Sequence, residues 1–208
     1  QLASIIEYVP LVETKRIVWI YSNNDLDDLI LEKTSLILNS YLNKKSFQLP
    51  IKQTEIDKAY LDHLRKYKKQ PDYVSIIKLG RVRDKYNKIL KSKDHQDNSS
   101  DYELLINQDL KKILLTAKNI LESNNQEFYF VYLPGMENFY PKRYADTYKK
   151  VNYLKPKILA MVEDLNINII DMEQYLKDEI PSEIFPKRGH YNERGYQLIA
   201  EKLFENLR

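Results

Sequence analysis

His190 is the residue in this chain best placed to move a proton. It stands in "FPKRGHYNERGYQLIAEKL", residues 185–203, between a glycine and a tyrosine and two residues ahead of a regular helical pattern. A helix N-terminus is electropositive, so it disfavours the imidazolium and favours a neutral, proton-accepting imidazole. The competing reading is a packed loop histidine that bridges or caps the last helix. A second group with chemical reach lies in "SNNDLDDL", residues 22–29. Asn24 offers an amide donor there, and it equally suits the cap of a following helix. Asp25, Asp27 and Asp28 beside it read as partners of the helix dipole. No histidine accompanies them, which disfavours a metal set. His63 falls in a charged helical stretch and His95 in a polar loop, and both read as solvent-exposed.

The elements that would position these residues follow from the apolar pattern. "RIVWIY", residues 16–21, "EFYFVYLPG", residues 127–135, and "INIIDM", residues 167–172, are short, nearly continuous apolar runs. Such runs suit strands covered on both faces, as in a parallel sheet. A helix is expected over 26–38, another over 101–123, and a third over 145–165 with a local break at Pro156. The last helix, 192–207, places Tyr196, Ile199, Ala200, Leu203, Phe204 and Leu207 on one face, with Asn192 as its cap. The order β-α-…-α-β-α-β-α predicts an α/β/α sandwich around a mostly parallel sheet. Residues 41–100 read as a helical insertion of basic, solvated helices, ending in a polar loop over 94–101, within one domain spanning 1–208. Active sites of such sheets gather at the carboxyl ends of the strands. Ser22, Asn23, Asn24 and Asp25 end the first strand at that rim, and the third strand leads toward His190.

Composition narrows the field. At 208 residues, 43% apolar, the chain is long enough for a sizeable core. It has no cysteine, which excludes disulfides, thiolate zinc sites and cysteine catalysis within this stretch. No apolar run reaches the length of a membrane span. The first residues, "QLASIIEYVPLVETK", lack the basic leader of a signal peptide. The net charge of +3 is mild. "RKYKK" with Arg81, Arg83 and Lys85 beyond it could form a basic patch, but acids are interspersed throughout, so nucleic acid is not the expected partner.

"VWIYSNNDLDDL" followed by "FPKRGHYNERGYQLIAEKL" resembles the SGNH (GDSL-type) hydrolases. Asn24 and Asp25 match the N-D of that family's G-x-N-D block, and His190 matches the histidine of its last block. "FYFVYLPG" and "INIIDMEQYL" fall where the family has its fourth and fifth strands. The resemblance runs through most of 1–40 and 101–208. Two of the four name-giving blocks are recognisable. The G-D-S block with the nucleophilic serine is not in this chain, nor is the second block's glycine. Lys187 stands where the family's acid sits, three residues before the histidine. Ser22 is the serine nearest Asn24, but it lies on the wrong strand for this family's nucleophile.

The resemblance implies a flavodoxin-like fold lacking its N-terminal strands and acyl transfer from an oxygen ester. His190 would be the base, Asn24 an oxyanion donor and Asp171 the group that orients the imidazole. The serine would come from a segment preceding Gln1. It implies no cofactor and no metal. The substrate would be a small-molecule or carbohydrate ester such as an acetylated bacterial surface sugar, and the open sheet edge would allow self-association. The alternative is an SGNH-fold binding or assembly module that has lost the chemistry.

Overall fold

The computed structural model describes residues 1–42, 53–68, 99–185 and 189–208. The chain divides into two compact units, residues 1–47 with 100–208, and residues 48–99. In the smaller unit the described element is a 16-residue helix, Gln53–Lys68, on which Arg65 pairs with Asp62. The second helix expected in that stretch, His95 and most of the basic patch lie outside the described residues.

The larger unit is mixed α/β and is built on three parallel strands in the order β1 (Arg16–Ser22), β2 (Glu127–Leu133), β3 (Asn168–Asp171). The register pairs Trp19 with Phe130, Tyr21 with Tyr132, and Tyr132 with Asp171. Alternation sorts the side chains into two cores. Trp19, Tyr21, Phe128, Phe130 and Tyr132 join one core. Helices α1 (Leu2–Tyr8), α2 (Asp25–Glu32), α6 (Lys111–Ser123) and α8 (Ala145–Asp164) supply its other side. Val131 and Ile170 point the opposite way, into a core with Met136, Met172, Leu176, Phe185, Tyr191 and Ile199. Burial on both faces explains why β2 reads as an apolar run and not as an alternating one, whereas β1 leaves its Ile20 exposed.

Several helices depart from expectation. The helix foreseen over 26–38 is two, α2 and α3 (Leu36–Tyr41). Thr34 bonds back to the Leu31 carbonyl at 2.7 Å, and the Ser35 hydroxyl accepts from the Leu38 N–H at 3.3 Å, so the pair ends one helix and starts the next. Between α5 (Ser99–Leu105) and α6 the chain makes a π turn, Ile106–Leu110, which shifts the phase of the stripe and leaves Leu104 exposed. The first residues of α5 take up part of the stretch read as a polar loop. Pro156 does not break α8. It sits on the solvent side, while Val151, Leu154, Ile158, Met161 and Val162 hold the helix to the core on either side of it.

The last helix, α11 (Glu193–Asn206), keeps Ile199, Leu203 and Leu207 of the expected face against the core but is rotated away from the rest of it. Gly195 and Ile199 are buried, with Leu198, Leu203 and Leu207 half-buried, while Tyr196, Ala200 and Phe204 face outward. The reason is close approach. A Cβ on Gly195 would lie 2.6 Å from the Ile184 carbonyl and 2.8 Å from the Tyr191 ring, so the helix docks through its glycine.

Among the described residues no strand pairs with the outer side of β1. A groove of about 290 Å³ lies there, lined by α1 residues such as Ile5 and Tyr8 and by Val12, Ile17, Val18 and Trp19. The Gln1 side-chain amide donates to the Ile20 carbonyl at 2.8 Å, at the carboxyl half of that edge. No described helix is long and apolar enough to cross a membrane.

Candidate functional site

A parallel sheet brings its three carboxyl ends to one rim. Here they carry Ser22–Asn24 after β1, Pro134–Asn138 after β2, and Asp171–Glu173 at the end of β3. Asn138 and Glu137 belong to a short helix, α7 (Met136–Phe139), and Glu173 opens α9 (Glu173–Leu176).

The rim is knitted by polar bonds, and Asn23 is its hub. The Asn23 amide donates to Glu137 Oε1 at 2.5 Å and to Asn138 Oδ1 at 2.8 Å, and its carbonyl accepts from the Tyr132 hydroxyl at 2.5 Å. Asn138 in turn donates to Glu173 Oε1 at 3.2 Å. Lys155, from α8, closes the network with Asp171 Oδ2 at 2.7 Å and Glu173 Oε2 at 2.5 Å, and its ammonium lies 4.6 Å from the Tyr132 ring centroid. Burial pushes the Tyr132 phenol well up, and the Glu173 charge adds to it, so it stays a neutral donor.

Asn24 faces the other way. It is exposed at the cap position of α2, yet its side chain bonds no backbone N–H there. Its amide donates instead to Asp28 Oδ2 at 2.6 Å, and its carbonyl accepts from the Ser22 hydroxyl at 2.9 Å. That leaves one amide hydrogen for another acceptor. Ser22 also reaches Asp25 Oδ1 at 2.7 Å. Asp27 is engaged by Lys150 at 2.8 Å and by the Tyr102 hydroxyl at 2.7 Å. No group of three His, Cys, Asp or Glu residues placed to hold a metal occurs among the described residues.

Asp25 carries a testable electrostatic signature. Burial raises its carboxyl, with the Ser22 hydrogen bonds pulling the other way and Asp28 and Glu32 adding to the rise. A carboxyl whose folded pKa exceeds its unfolded one favours folding while protonated. That contribution is complete below the unfolded value and is lost as pH climbs through the folded one. Asp25→Asn is neutral throughout and still accepts from Ser22. It is therefore expected to melt above the wild type near pH 7 and level with it near pH 3, followed by circular dichroism.

His190 is exposed, and its ring bonds no described residue. Its neighbours do the anchoring. Gly189 adopts φ of 41°, a left-handed turn that suits glycine. Tyr191 is buried, stacks on Phe185 at 4.3 Å between ring centroids, and donates its hydroxyl to the Pro134 carbonyl at 2.5 Å. Asn192 caps α11 as expected, accepting from the Gly195 N–H at 2.9 Å, and also donates to the Glu183 carbonyl at 2.8 Å. The loop that presents His190 is therefore tied to the turn after β2, at the carboxyl rim. Lys187 lies outside the described residues.

Asp171 does not bond His190. One of its oxygens holds Lys155 and the other accepts the Glu173 N–H at 3.1 Å. No family model matches the chain, and no curated protein or solved structure matches it. Sequence reasoning placed Asn23 at the rim without giving it a role, and missed Glu137 and Lys155. Their signal is faint: an asparagine pair after a strand, and a glycine two residues before a glutamate at the end of the next strand.

Proposed function

We propose that this chain forms the histidine-bearing part of an SGNH-type ester hydrolase or O-acyl (acetyl) transferase with a flavodoxin-like sheet. The observation that carries the reading is an exposed His190, its ring bonded to no described residue, held at the carboxyl rim of a parallel sheet by the buried Tyr191 next to it. In this reading a serine oxygen attacks the ester carbonyl and passes its proton to His190. The imidazolium then protonates the departing alcohol, leaving an acyl-serine that water or an acceptor hydroxyl resolves by the same route. Asn24, with an amide hydrogen to spare, would donate to the oxyanion. The serine would come from polypeptide on the amino side of Gln1. A strand laid in the groove along β1 would carry it to the rim beside Asn24.

A second reading, a non-catalytic binding or assembly module, is favoured by one observation. Asp171 is committed to Lys155, so the described residues give His190 no bonded carboxylate. A fluorophosphonate probe applied to the product of the whole reading frame separates the two. The hydrolase reading expects a single phosphonylated serine outside residues 1–208, formed more slowly in a His190→Ala variant. Absence of any adduct overturns it in favour of the module.

A further inference from the structure

We propose that the cavity between β1, α2 and α6 binds a small primary alkylammonium ion, with its charged head among the acids of α2 and on the Tyr21 hydroxyl. The site makes no use of His190 and stands apart from the hydrolase reading.

The acids come from one face of α2. Asp25, Asp28 and Glu32 fall at i, i+3 and i+7, and all three line a space of about 140 Å³. Asp25 is half-buried, while Asp28 and Glu32 are exposed and stand at the mouth. Asp25 and Asp28 each accept from a neutral neighbour, Ser22 and Asn24, and no cation pairs with any of the three among the described residues. Lys33, the next residue along, is held by Asp109 at 2.7 Å. Burial is the first cause of the raised Asp25 carboxyl, and the charges of Asp28 and Glu32 add to it, so the three repel one another. They are not grouped to hold a metal ion. Carboxylates spread in this way suit a cation with several N–H donors, and a primary ammonium carries three.

Tyr21 points to the same ligand independently. It is 2% exposed, yet its hydroxyl bonds no described residue. Buried hydroxyls are ordinarily bonded, as that of its neighbour Tyr132 is to Asn23. Among the described residues, Gln126 alone has an unpartnered side-chain oxygen or nitrogen fully shut away from open space. The Tyr21 hydroxyl therefore opens onto the cavity that its side chain lines. Burial pushes the Tyr21 phenol well up, and the charge of Asp25 is the next cause, so the oxygen stays neutral and lies near that carboxylate. An ammonium N–H supplies the partner it lacks. Trp19, the other aromatic lining the space, adds the attraction of an indole for a nearby cation. Leu110 and Ile113 give the alkyl stem an apolar wall. A space of this size, close to one that holds benzene, takes an amine of about four carbons.

The test titrates butylammonium chloride into the product of the whole reading frame by calorimetry, beside 1-butanol, which has the same length and no charge. Saturable binding of butylammonium is expected, at least about tenfold tighter than 1-butanol. Tyr21→Phe removes a hydroxyl that bonds nothing described and keeps the ring, so the fold stays intact while affinity is expected to fall about tenfold, the worth of a hydrogen bond to a charged group. Glu32→Gln, at an exposed position, is expected to weaken binding about threefold. Glu201→Gln, on α11 and outside the cavity, is expected to leave it as it was. Equal binding of 1-butanol would make the cavity a plain apolar pocket and overturn the proposal. Absence of saturable binding, or full affinity in either Tyr21→Phe or Glu32→Gln, would overturn it as well.

Discussion

On the hydrolase reading, replacing His190 by alanine in the product of the whole reading frame is expected to lower turnover of p-nitrophenyl acetate by about 10²–10⁴-fold, the usual contribution of a positioned general base. The melting temperature is expected to stay where it was. Both halves follow from the same geometry. The ring is exposed and bonds no described residue, so its removal empties no cavity and orphans no buried partner. The loop is held by others: Tyr191 through Pro134 and Phe185, and Asn192 through Glu183 and Gly195. A drop in activity with an unchanged melt would therefore report chemistry and not misfolding. Unchanged turnover would remove His190 from the mechanism.

The sheet was legible because its central strand is buried on both faces and its flanking strands stay largely apolar. "EFYFVYLPG" and "INIIDM" feed both cores, and "RIVWIY" buries Trp19 and Tyr21 on one face while its apolar Ile20 stays exposed on the other, so the runs stay nearly continuous in apolar character. The three strands end within two residues of where the runs end. The cap at Asn192 was legible because capping is a local act, completed three residues away at Gly195. The docked face of the last helix was legible only in part, at Ile199, Leu203 and Leu207. The deciding contact is the absence of a side chain at Gly195 against the Ile184 carbonyl, and a count of apolar residues passes over a glycine.

The polar rim was hidden for a different reason. Asn23 and Asn24 are neighbours of the same type. Which one turns inward is settled by Tyr132, Glu137 and Asn138, more than a hundred residues along the chain. Asp171 looked available because its partner is a lysine on a helix sixteen residues earlier, one of many lysines in the sequence. Local pattern places a carboxylate at the end of a strand. Only the packed structure says whether a cation already holds it.

That cation is the subject of the largest expected effect on stability. Lys155→Ala is expected to cost about 3 kcal/mol, read from urea denaturation. Lys155 is 18% exposed and Asp171 10%, so the pair is largely withdrawn from water, whereas Glu173, at 31%, is partly wetted. Removing one partner of a buried pair costs about 3–5 kcal/mol because the other charge is stranded. Water reaching Glu173 holds the expectation to the lower end of that range. Lys155→Met keeps most of the aliphatic stem against Tyr132, so any loss it shows is chiefly electrostatic. Adding Asp171→Asn to Lys155→Met should then restore part of that loss, since no stranded carboxylate remains at the end of β3. Failure of the second substitution to restore anything would mean that Lys155 acts through packing alone. The rim would then be held by Asn23 and its neighbours, without help from the ion pair.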